Sequence, residues 1–183
     1  NASNIIEAAA AGASDGLTLA LNVAAMLIAF IALIALINYF LGWFGNTIGI
    51  NQFLISKFGS PLSLQLIFGS ILQFLAFGIG VSWDSAYYFG SLIGTKIVLN
   101  EFVAYLDMSK LIEAKTLINE KAILMATYAL CGFANFSSIA IQIGGISPLA
   151  PNRRSDLAKL GIRAVIGGTL ANLMTATLAG ILY

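Results

Sequence analysis

Glu101 is the side chain whose position most needs a chemical reason. It follows Asn100 inside GTKIVLNEFVAY (Gly94–Tyr105), a polar stretch with apolar sequence on both sides. An ionised carboxylate in hydrocarbon is costly, so such an acid faces a cavity or a partner. Three readings are open. The carboxylate accepts hydrogen bonds from the hydroxyls of a polar substrate, it carries a proton, or it forms a buried ion pair with Lys96, five residues earlier. Asn100 favours the first, because an amide adds a donor and an acceptor beside the acid.

Asn135 and Ser138 form a second constellation, in CGFANFSSIAIQIGG (Cys131–Gly145). Residues three apart share a helix face. Beside a break at Gly132 they could also present free backbone groups, as broken helices do at transporter sites. The competing reading is hydrogen-bonded glue between membrane helices. Phe133 beside them serves either packing or stacking. Arg153, Arg154, Lys159 and Arg163 read as topology determinants, and Thr169 and Asn172 as helix-packing residues.

The elements that must position these groups are membrane helices. Apolar residues make up 59% of the chain and charged residues 9%, against roughly 25% charged in an average soluble protein. No Asp, Glu, Lys or Arg occurs over 16–56, 58–83, 122–152 or 164–183. A spanning helix needs about 20 mostly apolar residues, and four such stretches leave no polar stripes to face water. The expected fold is all-α and integral to the membrane.

Residues 1–15 read as an Ala-rich interfacial lead-in, and 16–60 as a long scaffold span followed by a loop. Residues 61–183 then make one further unit. In it, 62–81 is a glycine-interrupted helix that spans fully, spans half-way or lies at the interface. Residues 82–108, with charges at Asp84, Lys96, Glu101 and Asp107, predict a re-entrant hairpin turning near Leu99–Asn100. Residues 122–147 predict a discontinuous helix, and 161–183 a final span. The basic 151–163 loop belongs in the cytoplasm by the positive-inside rule. That puts Tyr183 and the 109–121 connection outside, with the hairpin opening from outside.

Several classes are excluded. The chain has no histidine, which removes His-based triads and most zinc chemistry. Cys131 is alone and reads as a small buried hydrophobe. A net charge of +1 with no basic patch gives no reason to expect a nucleic-acid partner. No basic n-region leads into a short apolar stretch, so no signal peptide is expected. An enzyme is not expected, and no cofactor.

GTKIVLNEFVAY and the long stretch CGFANFSSIAIQIGGISPLAPNRRSDLAKLGIRAVIGGTLANL (Cys131–Leu173) resemble the C-terminal signature regions of concentrative nucleoside transporters. The resemblance extends more loosely over residues 12–38 and so covers most of the chain. It implies one half of an inverted-repeat transporter, with 61–183 as its transport-domain half and a hairpin and a broken helix holding a nucleoside's sugar. Glu101 matches the family's hairpin acid, Asn135 and Ser138 its polar pair, and Asn100 and Phe133 flank them. It further implies a homotrimer in the cell membrane, the inner membrane in a bacterium, driven by sodium or protons. The family's first hairpin, with its Gly-Gln-Thr-Glu type of motif, is absent from these residues. The base contacts and the sodium site that the family builds there are therefore not expected in this chain. The alternative expectation is a non-transporting membrane assembly or channel subunit, whose polar residues serve packing or a pore.

Overall fold

The computed structural model describes residues 4–183, apart from the side chain of Met26. The first three residues of the expected lead-in lie outside the described residues. From Ile5 onward that lead-in is the beginning of helix α1 (Ile5–Thr47), unbroken through Gly16. The reason is local. Asn4 caps the helix by accepting from the Glu7 N–H at 2.8 Å, and the alanines behind it are the strongest helix formers. At 43 residues, α1 is about 64 Å long, twice the roughly 30 Å hydrocarbon core. Its apolar side chains are largely exposed within the chain, including Leu21, Ile28, Leu33 and Leu36. Lipid and other protein are the solvents that suit them.

A short helix, α2 (Ile50–Phe58), sits between Gly49 and Gly59, both at φ 75°. That is the left-handed region where a side chain is strained. Asn51 is buried and closes the corner. It donates to the Gly42 carbonyl and to Asn46 Oδ1, both at 2.8 Å, and accepts from Leu62 N–H. The 62–81 segment forms α3 (Leu64–Gly78). Its 15 residues reach about 22 Å, too short to cross.

α4 (Trp83–Val98) lies antiparallel against α3 with the two backbones in contact. A Cβ on Gly90 would lie 2.6 Å from the Gly69 carbonyl oxygen, and one on Gly94 2.9 Å from that of Gln65. Small residues allow this approach, a common device between membrane helices. α5 (Glu101–Glu113) follows after Leu99–Asn100. The chain then returns to its starting end. Asn119, just before α6 (Glu120–Leu130), lies 3.5 Å from Ser82, just before α4. With 16 and 13 residues, the arms are about 24 and 20 Å long, so the pair is a re-entrant hairpin.

α6 breaks over 131–135 and resumes as α7 (Phe136–Ile146). A 3-10 turn (Pro151–Arg153) leads into α8 (Arg154–Leu182). Residues 154–160, expected in a loop, are the first turns of α8, and their charges sit on a helix. At the far end Tyr183 donates to the Glu120 carboxylate at 2.9 Å. Tyr183, Asn119 and Ser82 therefore gather at one end of the molecule. The core joins α4 (Phe89, Leu92), α5 (Ala104, Met108), α6 (Met125, Ala129) and α8 (Leu173, Ala176). α1 is tied on at Asn38, which donates to Gln65 and accepts from Leu64 N–H, and at Gly144, whose missing Cβ makes room for Asn22 and Val23.

Candidate functional site

The two interruptions, at Leu99–Asn100 and at 131–135, meet in the middle of the molecule. Each resumed helix begins with an asparagine in extended backbone. Asn100 has φ −165° and accepts from Val103 N–H at 2.9 Å. Asn135 has φ −146° and accepts from Ser138 N–H at 2.7 Å. Both are N-caps, among the strongest choices for that position. The spacing of Asn135 and Ser138 is therefore a cap geometry and not a shared helix face. Asn135 sits half outside the helix, and Ser138 is the residue whose N–H it satisfies.

Asn135 also uses its remaining atoms. Its Nδ2 donates to Glu101 Oε2 at 3.0 Å, and its Oδ1 accepts the Ser138 hydroxyl at 2.9 Å. Asn135 and Ser138 are buried, at 1% and 6% exposure, whereas Glu101 is half-buried. Among the described residues no donor reaches Glu101 Oε1. The carboxylate thus stands in the first turn of α5 beside the first turn of α7. Helix N-termini stabilise negative charge, and here two of them share one acid.

Lys96 is not the partner of Glu101. Among the described residues the ion pairs are Lys110–Asp107 and Arg153–Asp156, both at the surface. Lys96 is fully buried and donates to the Ala129 carbonyl at 2.9 Å. That bond belongs to a complete set. The last four carbonyls of a helix lack internal donors. In α6 they are taken by Tyr105 Oη at Thr127 (2.7 Å), Cys131 N–H at Tyr128 (3.3 Å), Lys96 at Ala129, and Gly132 N–H at Leu130 (2.8 Å). Ser137 Oγ in turn donates to the Leu99 carbonyl at 3.0 Å.

Phe133 is 74% exposed and lines an open cleft of about 240 Å3 with Ser138, Gln142 and Asn172. Cys131 is exposed at the same break and not buried as expected. Gln142 and Asn172 were not legible as site residues. Gln142 is one polar position in an apolar helix, and Asn172 reads as packing. The nearest signal is Gly132, where a Cβ would lie 2.7 Å from the Asn172 amide atoms.

Residues 1–180 of the chain match the family described as Na+ dependent nucleoside transporter C-terminus. The chain belongs to the concentrative nucleoside transporter family. It is 45% identical over 97% of its length to the nucleoside permease NupC of Helicobacter pylori, covering 41% of that protein. It is 42% identical over its full length to sodium/nucleoside cotransporter 1 of Mus musculus, covering 29% of it. Its fold is similar to a CNTnw variant solved in an outward-facing state, with a TM-score of 0.85 and 45% identity over 100% of this chain and 43% of that one. The chain thus spans about two fifths of the bacterial relative. These relatives are transporters and not enzymes, and the likeness makes this a membrane-embedded chain.

Proposed function

We propose that this chain is the substrate-binding C-terminal part of a secondary active nucleoside symporter, and that Glu101, Asn135 and Ser138 receive the ribose. The observation that carries the reading is the shared carboxylate: one oxygen held by Asn135, the other unoccupied by any donor, at the meeting point of two helix N-termini. Ribose hydroxyls both donate and accept, and Oε1 is an acceptor waiting for one of their protons. A site built around such bonds discriminates strongly against a ligand lacking the hydroxyl, because its polar groups are then left unpaired. Phe133 supplies an exposed aromatic wall beside them. Asn100 acts through the backbone, as the cap that sets the first turn of α5.

Sodium is the favoured coupling ion, on the family's description, with protons as the alternative. A homotrimer in the cell membrane, the inner membrane in a bacterium, completes the reading. Glu101→Gln tests it in the full-length protein. It keeps the shape and removes the charge, and a charge-assisted hydrogen bond contributes roughly 1.5–3 kcal/mol. Uridine affinity should fall tenfold or more with the fold intact, while unchanged affinity overturns the ribose assignment. Uptake into proteoliposomes with sodium replaced by choline separates the two ions: uptake that persists and follows a proton gradient rules sodium out.

A further inference from the structure

Lys96 has no part in the site as proposed, yet it is a charged side chain shut away from solvent within the fold. It is fully buried, and no carboxylate pairs with it among the described residues. Its acceptor is the Ala129 carbonyl, one of the orphaned carbonyls at the end of α6. It also stands in the last turn of α4. The C-terminus of α6, which carries partial negative charge, thus receives an ammonium borne by the last turn of α4. A buried cation is normally paired or neutralised, and Glu101 acts on this one only through space, without contact. Here the end of α6 takes the place of a contacting counter-ion.

In transporters with discontinuous helices, the C-terminal ends of half-helices and their unwound carbonyls are where sodium ions and protons are held. We propose that Lys96 is a resident cation: its ammonium fills the helix-end position that would otherwise take a mobile ion, and it is a positioning residue for the site. The consequence is mechanical. Lys96 fixes the end of α6 to the hairpin arm α4, and the residues just beyond those two ends are Asn135 and Glu101. The bond of 3.0 Å between them depends on both chains being held there. Lysine suits the task because its charge is compact and its stem is long enough to reach across from α4.

The inference rests on the nucleoside reading for its effect on binding, and the test separates the two. In the full-length protein, Lys96→Met keeps the volume and removes the charge, whereas Lys96→Ala leaves room for a small cation. Lys96→Met should bind uridine about tenfold more weakly or worse, as expected for loss of a charged hydrogen bond. Lys96→Ala should be similarly weak, and methylammonium should restore several-fold affinity and raise its unfolding temperature, while choline, too large for the space, should do neither. Wild-type affinity in Lys96→Met means that packing alone suffices and overturns the proposal. So does a Lys96→Ala protein indifferent to methylammonium. If Lys96→Met elutes aggregated, the Lys96→Ala pair decides alone. If even the unsubstituted protein does not bind uridine, the nucleoside reading fails, and the unfolding temperature of Lys96→Ala with methylammonium against choline still decides the role of Lys96.

Discussion

The two helix breaks use the same capping residue and end in different surroundings. At the hairpin tip, Leu99 and Asn100 turn the chain in two residues, flanked by the buried Ile97 and Val98. At 131–135 the chain takes five residues and leaves Cys131 and Phe133 exposed, with Ala134 and Asn135 buried behind them. Asn100 spends its side chain on the cap alone, because no acceptor meets its Nδ2 among the described residues. Asn135 spends its side chain on the cap, on the Ser138 hydroxyl and on Glu101. Identical local geometry therefore does not mean identical duty. The tight break turns the chain into α5, and the open break sets Phe133 and Ser138 along a cleft.

That contrast can be tested by substitution. Asn135→Ala should be the most severe change. It removes a cap contributing about 1 kcal/mol and a charged hydrogen bond contributing roughly 1.5–3 kcal/mol. Nucleoside affinity should drop about a hundredfold, and the unfolding temperature should fall. Gly94→Ala is next for stability, at about 1–3 kcal/mol, since its Cβ meets the α3 backbone, which cannot give way. Its signature is a lower unfolding temperature with normal affinity in the protein that remains folded. Asn100→Ala should cost about 1 kcal/mol of stability and change affinity far less than Asn135→Ala. Equal losses of affinity from the two asparagines would break the comparison.

Smaller effects sharpen it. Gly132→Ala pushes on the Asn172 side chain, a flexible neighbour in the cleft, so affinity should fall only a few-fold. Adding Asn172→Ala should recover it. Additive losses instead would show that the two residues are not coupled. Tyr105→Phe removes one bond to the Thr127 carbonyl. It should lower stability by about 1 kcal/mol, measured by thermal unfolding, with the least change in binding.

The order of the elements was readable from charge spacing. Short apolar arms around Lys96, Asn100 and Glu101 cannot cross a bilayer, and a glycine and polar cluster at 131–138 interrupts the next helix. Boundaries were less readable. Nothing in residues 5–15 announces that they continue α1 without a break, because alanines suit an interfacial segment and a long helix equally. The basic residues after Pro151 mark a membrane face, and charge alone does not say that they are already helical. α3 was ambiguous because nearly every position in it is apolar, and only the tertiary structure limits it to 15 residues, fewer than the about 20 that a span needs.

By itself the sequence determined that this is a membrane protein, where its chain breaks, and, through GTKIVLNEFVAY and GFANFSSI, which family it joins. Those are properties of composition and of short-range spacing, and they survive without knowing any contact. The tertiary structure alone decided the partners. Glu101 meets Asn135, 34 positions away, and Lys96 meets the Ala129 carbonyl, 33 positions away. A side chain five residues distant looked the better ion-pair partner on paper. It lost because Lys96 lies before the turn and Glu101 after it, so the two stand at opposite kinds of helix end. The hairpin ends α4 at one point and starts α5 just beyond it. The ammonium goes to a carbonyl at the end of α6, and the carboxylate to the side-chain amide of the residue that caps α7.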